Sequence, residues 1–251
     1  LQHEDGHSLL NSMAFSAVLS YDPAFAFELA TIIQEGMRRM YSEDENLVYY
    51  ITLYNEDYQM PAMPAGDEVR EGILKGIYLY RRAEKKLDRH VQLFGSGVIL
   101  NRVLEAQARL AEFGVSADVW SVTSYQQLRN DGLKCERYNR LHPEETPRVP
   151  YLAQALKGVE GPFIAASDYM KALPDLVRGW VPGRLVALGS EGYGMSDTRE
   201  ALRRHFEIDA ECVTLAALDA LRHEGKLSAS EVSAAIGKLG IDPEKVDPLD
   251  I

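Results

Sequence analysis

Apolar residues recur along the first fifth of the chain at two different spacings. Between residues 25 and 40 they return every three or four positions, which is the period of one buried helical face. The unbroken apolar and aromatic run at residues 47–53 predicts a strand covered on both faces. Residues 13–20 predict an earlier strand, so the order strand, helix, strand indicates a parallel unit. The predicted buried face of the helix contains Phe25, Leu29, Ile32, Ile33, Met37 and Met40.

The residues before this helix carry a start signal. Asp22 is a suitable N-cap, because its carboxylate can accept hydrogen bonds from free backbone N–H groups. Pro23 suits the first helical position, where no N–H is needed, and Glu28 suits the positive end of the helix dipole. Beyond the second strand, the proline-rich residues 54–66 predict a long loop with a functional role or an unusual packing role.

Helices and strands continue to alternate through the rest of the chain, which predicts an α/β fold. The charged residues 81–89 predict a linker between two domains, and an exposed helical turn is an equally good interpretation. The further predicted strands are 77–80, 90–94, 117–122, 163–166 and 185–188, and the further predicted helices are 67–75, 98–113, 124–131, 169–180, 197–205, 211–223 and 228–239.

The amino-acid composition limits which binding partners and which cellular compartment suit this protein. The 251 residues include 27 basic and 38 acidic side chains, a net charge of −11, which makes nucleic acid or an anionic membrane an unfavourable partner. Cys135 and Cys212 are too few for a disulfide framework and favour a reducing cytoplasm. No apolar run reaches the roughly 20 residues of a membrane span.

Residues 3–7, with the sequence His-Glu-Asp-Gly-His, are the first candidate for chemistry. They match the zinc-hydrolase pattern, in which two histidines on one helical face bind the metal, and Glu28 is then a possible third ligand. Gly6 disfavours that helix by about 1 kcal/mol and favours a loop. Two imidazoles beside two carboxylates also suit acid–base work near neutral pH. A loop without chemistry is the remaining alternative.

Two glycine-rich turns follow predicted strands. Residues 95–97, Gly-Ser-Gly, stand where a nucleotide-binding turn would stand, but Leu100 replaces the third glycine, so a tight turn is the better interpretation. Residues 189–194 contain no lysine and are therefore not a phosphate-binding P-loop. They nevertheless follow the carboxyl end of a strand, where α/β sheets bind ligands.

Short strings in a fixed order span nearly all of the chain. They include LQHEDGHS at 1–8, SYDPA at 20–24, YYIT at 49–52, MPAMP at 60–64, LHP at 141–143, ETPRVPY at 145–151 and SDTRE at 196–200. This set resembles the homodimeric type of pyruvate dehydrogenase, its thiamine-diphosphate component, and more distantly transketolase.

The resemblance implies a division into two α/β parts. Residues 1–84 correspond to the end of a pyrimidine-binding, transketolase-like domain. Residues 85–251 correspond to a complete transketolase C-terminal-like domain, with a mostly parallel sheet flanked by helices. The family's Gly-Asp-Gly…Asn diphosphate motif does not occur here, and the chain begins with Leu1. We therefore expect the tail of a longer enzyme, inactive alone, with the groups that bind thiamine diphosphate and Mg largely outside it.

The resemblance also implies an activity, which is oxidative decarboxylation of pyruvate and acetylation of a lipoyl group. It assigns catalytic roles to His3 and His7, without choosing between them, and substrate contacts to Glu4 and Asp5. Leu9 replaces a histidine of transketolases, which predicts a different substrate size. The implied partners are a second subunit in a homodimer, the lipoyl acyltransferase and pyruvate, all in the cytoplasm. A non-catalytic dimerisation or assembly module of the same fold is the alternative.

Overall fold

The structure is a computed structural model that describes residues 6–250, and it contains two sheets with flanking helices. Single helical turns at Arg38–Ser42, Arg178–Trp180 and Pro248–Asp250 complete it. In chain order the elements are α1 Ser8–Ser12, β1 Val18–Tyr21, α2 Ala26–Met37, β2 Val48–Ile51, α3 Asp67–Lys75, β3 Tyr78–Arg81, β4 His90–Gly95, α4 Ile99–Glu112, β5 Ser116–Ser121, α5 Tyr125–Leu141, α6 Tyr151–Ala155, β6 Phe163–Ala166, α7 Ala172–Asp175, β7 Leu185–Leu188, α8 Arg199–His205, α9 Ala210–His223 and α10 Ala229–Lys238.

The larger sheet contains five strands in the order β3-β5-β4-β6-β7. β5, β4, β6 and β7 are parallel, whereas β3 pairs antiparallel with β5 at one edge. The smaller sheet consists of β1 and β2, which are parallel, with Val18 opposite Val48 and Tyr21 opposite Ile51. The predicted α/β class, with a mostly parallel sheet flanked by helices, is therefore confirmed.

Strand β4 is buried along its whole length because helices cover both faces of the larger sheet. Successive side chains on a strand point to opposite faces. Leu93 accordingly packs in a cluster with residues of α4 and α9, and Phe94 in a second cluster with residues of α5 and α7. No helix among residues 6–250 combines the length and apolarity that crossing a membrane requires.

Glu28 of α2 lies fully buried where the two sheets meet. One carboxylate oxygen accepts hydrogen bonds from the Tyr78 hydroxyl of β3 and the Ser121 hydroxyl of β5, both at 2.6 Å. The other accepts from the backbone N–H groups of Ala24 at 2.5 Å and Phe25 at 3.0 Å. Burial raises the pKa of this carboxyl. Glu28 therefore ties α2 and the smaller sheet to two strands of the larger sheet.

The outer edge of β1 is closed by a side chain instead of a strand. The amide oxygen of Gln126 accepts from the Ser20 backbone N–H at 2.6 Å, and its nitrogen donates to the Val18 carbonyl at 2.9 Å. Ser124 donates to the Ser20 carbonyl at 2.6 Å. The first turn of α5 thus satisfies backbone groups that an open edge would leave unpaired.

The prediction that Asp22 caps the first long helix is wrong. Helix α2 begins four residues later, at Ala26, and Phe25 occupies the N-cap position. Asp22 is instead buried among partners from other segments, which outcompete the local cap. Glu28 does support the first turn, as predicted, because it accepts from the N–H of the N-cap residue.

The predicted apolar face of α2 is only partly correct. Ile32 is fully buried, but Ile33 and Met37 are 44% and 57% exposed. The face that packs inward includes Gly36, where an added Cβ would lie 3.3 Å from the Tyr49 ring. The side of α2 that packs inward is therefore the side with Ile32 and Gly36, and it differs from the predicted apolar side that includes Ile33 and Met37.

Three other expectations need correction. The strand at 47–53 is shorter, and β2 is half-exposed rather than covered on both faces, because Val48 and Tyr50 on one face remain 55% and 37% exposed. The helix at 169–180 divides into α7 and a single turn. Helix α5 continues to Leu141, well beyond the predicted end at 131. Its sequence is mostly polar, so the apolar residues do not mark the helical period clearly beyond that point.

We predict that Glu28→Gln lowers the free energy of unfolding by about 2–4 kcal/mol, because an amide nitrogen cannot accept and two buried donors lose their acceptor. Urea denaturation of the 251-residue chain measures this loss. The matched control is Glu112→Gln, an exposed change at the end of α4, which we expect to stay within about 0.5 kcal/mol of the wild type. Equal effects of the two variants would contradict the role given to Glu28.

Candidate functional site at the carboxyl edge of the sheets

Polar residues follow most of the parallel strands of both sheets at their carboxyl ends. In α/β proteins this edge is where ligands bind, because loops there are free to supply polar groups around a crevice. The residues are Asp22 after β1, Thr52 after β2, Ser96 after β4, Ser167 after β6 and Ser190 after β7.

A cleft of about 480 Å³ opens at this edge, within the size range of small-molecule sites. The segment after β2 forms one wall. The loops after β6 and β7 and helix α8 form the other. The polar lining comprises Thr52, Tyr54, Asn55, Glu56, Asp168, Ser190, Arg199 and Arg203, and the apolar lining includes Leu53, Leu202, Phe206 and Ile208.

A bidentate salt bridge joins the two walls of the cleft. Arg203 of α8 donates to both carboxylate oxygens of Glu56, one of these bonds being 3.0 Å long. Arg199 donates to the Asn55 carbonyl beside it. The Arg203 guanidinium lowers the pKa of Glu56. A bidentate arginine–carboxylate pair fixes orientation as well as charge, so this bridge defines one end of the cleft.

Asp22 is the most deeply buried acid at this edge. Its Oδ1 accepts from the Thr52 hydroxyl at 2.6 Å and the Tyr54 hydroxyl at 3.0 Å, and both donors line the cleft. Burial raises the pKa of Asp22 from 3.8 to about 6, although the hydrogen bonds that the carboxylate accepts from Thr52 and Tyr54 oppose this rise. Among residues 6–250, no cation lies within ion-pair distance of this carboxylate.

The backbone of Asp22 also connects the two sheets. Its N–H donates to the carbonyl of Thr123, which follows β5, at 2.8 Å, and its carbonyl accepts from the Gly97 N–H at 3.1 Å. Gly97 has a φ of +49°, and a Cβ there would lie 2.5 Å from Asp22 Oδ1. Only glycine fits at this position, so the Gly-Ser-Gly turn allows the backbone to pack directly against the Asp22 side chain.

His7 lies at the start of the described chain, partly buried, immediately before α1. Its carbonyl accepts from the Asn11 N–H at 2.9 Å, and the carbonyl of Gly6 accepts from the Met170 N–H at 2.8 Å. The loop carrying His7 is therefore docked on the segment after β6. Asp168 and Tyr169 of that segment line the cleft.

The other predicted site residues, His3, Glu4 and Asp5, lie outside the described residues. The zinc alternative needs Glu28 as a third ligand, but that carboxylate accepts four hydrogen bonds within the core. Among residues 6–250, no group of three or more histidine, cysteine, aspartate or glutamate side chains is placed to hold a metal ion.

Thiamine diphosphate with magnesium needs carboxylate or amide oxygens around the cation and donors for the phosphates. The described part of the chain has no cluster of acidic ligands for such a cation. One oxygen of Asp22, the buried acid nearest the cleft, is already engaged with Thr52 and Tyr54. Residues 6–250 by themselves therefore do not fit the cofactor's cation.

Sequence reasoning missed Asp22 as a site residue and did not single out Glu56 or Arg203. A position directly after a strand of a parallel sheet was the available signal for Asp22. The Arg203–Glu56 pair had none, because its members are 147 residues apart in sequence.

Two solved structures of similar fold are transketolases. A split-gene transketolase, described as an inactive β4 tetramer, superposes with a TM-score of 0.59 at 16% identity, over 88% of this chain and 62% of that one. A Pichia stipitis transketolase mutant gives 0.57 at 15% identity, over 88% of this chain and 29% of that one. At such low identity the likeness shows the fold alone, so the class defined here is a transketolase-like α/β protein.

Sequence comparison makes the assignment more specific. The family model for the transketolase-like C-terminal domain matches residues 76–209, more than half of the chain, and the chain belongs to this family. The model for the middle domain of the pyruvate dehydrogenase E1 component matches residues 1–61.

Curated relatives extend this match over the whole chain. The pyruvate dehydrogenase E1 components of Pseudomonas aeruginosa and Escherichia coli K12 are 50% and 51% identical over 100% and 99% of it. The resemblance found in the sequence is confirmed. The chain spans about 28% of the length of these relatives.

We predict that Asp22→Asn stabilises the protein at neutral pH. The folded pKa of about 6 lies above the unfolded value of about 3.9, so the folded state holds this proton more tightly. The resulting stability is fully present below about pH 4 and is lost as the pH rises through 6. Relative to the wild type, the variant should therefore gain up to about 3 kcal/mol between pH 4 and pH 7.5.

Urea denaturation of both proteins across this pH range provides the measurement. Asp57→Asn, an exposed change in the same loop region, is the control, and its difference from the wild type should change little with pH. A constant difference between wild type and Asp22→Asn across the range would show that Asp22 is not a destabilised buried carboxylate.

Proposed function

We propose that this chain is the carboxyl-terminal part of a pyruvate dehydrogenase E1 component and forms one side of its pyruvate-decarboxylating site. The observation that carries the proposal is about 50% identity with such components along the whole chain. The geometry agrees with it, because the loop with His7 is anchored next to the cleft through the bond between Gly6 and Met170.

The proposed chemistry of the loop follows from its side chains. Pyruvate presents carboxylate and carbonyl oxygens, which accept hydrogen bonds. An imidazole near neutral pH can donate to such an oxygen or hold a proton beside it. We assign this role to His7 or His3 and propose that Glu4 and Asp5 contribute contacts to the substrate. Thiamine diphosphate and Mg belong, in this proposal, to the whole enzyme, with their binding groups mainly outside this chain.

The proposed assembly is a homodimer that passes acetyl groups to the lipoyl acyltransferase in the cytoplasm. Large apolar side chains are exposed on the smaller sheet and on the segment after it, and this favours coverage of that surface by further polypeptide. Soluble surfaces rarely present such residues close together without a partner. They include Val48, Leu53 and Met60. The division into residues 1–84 and 85–251 is part of the same proposal.

A chimeric enzyme tests the proposal. The matched 28% of the Escherichia coli pyruvate dehydrogenase E1 component is replaced by this chain, and pyruvate-dependent acetylation of the lipoyl acyltransferase is measured. We expect the chimera to retain activity within about tenfold and to bind thiamine diphosphate with Mg. In it, His7→Ala should lower kcat by about 100-fold or more, since positioned acid–base groups contribute that much.

His142→Ala is the matched control, because His142 lies on an exposed turn after α5 and should leave kcat unchanged. If His3→Ala alone lowers kcat, the role passes to His3 and the proposal stands. A folded, dimeric chimera that binds the cofactor but lacks activity would instead support the non-catalytic assembly module. Tight binding of thiamine diphosphate by the isolated 251-residue chain would contradict the division of cofactor groups.

A further inference from the structure

Two residues that line one small cavity, Asp22 and Tyr125, each carry a buried polar atom without a hydrogen-bond partner among residues 6–250. The cavity measures about 10 Å³. Asp22 Oδ2 and the Tyr125 hydroxyl, both fully enclosed, form no hydrogen bond with any group of residues 6–250. Buried polar groups are nearly always satisfied, so a pair of exceptions at one cavity calls for a shared partner. The lining consists of Leu9, Ser20, Asp22, Val122, Ser124, Tyr125, Gln126 and Leu173.

The other polar groups around the cavity already have partners. The Ser20 hydroxyl donates to Gln126 at 3.0 Å, the Ser124 hydroxyl donates to the Ser20 carbonyl, and Gln126 uses both ends of its amide on β1. Asp22 Oδ2 and the Tyr125 hydroxyl are therefore the polar side-chain groups of the lining that have no partner among residues 6–250. A carboxylate oxygen accepts, whereas a phenol both donates and accepts.

One water molecule matches both the size of this cavity and the chemistry of the two groups. About 10–15 Å³ is the smallest cavity that holds a water. Such a water can donate to Asp22 Oδ2 and accept from the Tyr125 hydroxyl, which satisfies both groups at once. We propose that Asp22, Tyr125 and one water bound between them form an internal hydrogen-bonded unit that positions Thr52 and Tyr54 in the cleft wall.

The unit reaches the cleft through the other carboxylate oxygen, Oδ1, which accepts from Thr52 and Tyr54. Only an ionised carboxylate can accept on both oxygens without offering a proton of its own. Protonation of Asp22 on either oxygen therefore weakens a bond to the cleft wall or a bond to the water. The protonation state of Asp22 therefore affects the hydrogen bonds that hold Thr52 and Tyr54, which line the cleft.

The charged and titratable groups around Asp22 support this arrangement. Tyr54 and Tyr58 face it from the segment after β2, Tyr125 from α5 and Asp168 from the segment after β6. Burial and the charge of Asp22 together raise the pKa of Tyr125, which keeps its hydroxyl protonated as a donor. Since no cation of the described residues pairs with Asp22, hydrogen-bond donors are what stabilise its charge.

The test measures the titration of Asp22 in the 251-residue chain by NMR of ¹³C-labelled aspartate carboxyls, with the signal assigned by Asp22→Asn. Tyr125→Phe should raise the midpoint by about half a pH unit, because the ionised form loses a donor that acts through the water. Tyr54→Phe is the positive control, because the Tyr54 hydroxyl donates directly to Asp22 Oδ1 at 3.0 Å in the unaltered protein. Loss of this bond should raise the midpoint further. Tyr151→Phe, whose hydroxyl donates to the Ile77 carbonyl, should leave it unchanged.

The water is tested separately in the unaltered protein. A long-lived water should give a nuclear Overhauser cross-peak to the ring protons of Tyr125, a measurement that does not depend on any variant folding. Absence of this cross-peak overturns the proposed water. An unchanged midpoint in folded Tyr125→Phe, with the expected rise in Tyr54→Phe, overturns the link between Tyr125 and Asp22. Neither result bears on the proposed enzyme function, which the chimera tests.

Discussion

Hydrogen bonds to two buried acids, Glu28 and Asp22, link the two sheets of this molecule. Among residues 6–250, Glu28 and Asp22 have no basic side chain within ion-pair distance, so hydrogen-bond donors must stabilise them. Those donors come from both sheets and from the turns between strands and helices. Because a buried carboxylate without donors is strongly unfavourable, these hydrogen bonds favour the relative position of the sheets that brings the donors to the two acids. The cleft lies at that junction and takes its shape from it.

The two acids differ in how completely they are satisfied. Glu28 accepts four hydrogen bonds and acts as a structural anchor for α2, β3 and β5. Asp22 accepts two from the cleft wall and keeps an oxygen in the interior. Burial raises the pKa of Asp22 to about 6, so that the carboxyl titrates just below neutral pH. A buried acid with a raised pKa beside a cleft is more typical of functional sites than of packing alone.

The cleft itself is assembled from segments far apart in sequence. Arg203 and Glu56 join α8 to the segment after β2, and the bond between Gly6 and Met170 brings the loop with His7 to the same region. This arrangement places a loop from the first residues of the chain near a cleft whose lining comes from both halves of the sequence. It also suits a protein whose relatives are about three and a half times its length, because the cleft is bounded by exposed surface that further polypeptide can cover.

Local pattern by itself determined most of the elements. Helix α3 and strands β6 and β7 begin and end at the predicted residues, and the left-handed Gly76 ends α3. The family and the candidate histidine loop also followed from short strings of sequence. Only the tertiary structure decided the role of Asp22, whose partners lie 30 and 32 residues away, and the closure of β1 by Gln126, more than 100 residues away. The physical reason is that a buried polar group takes the donors that packing brings to it, and sequence spacing does not reveal which those are.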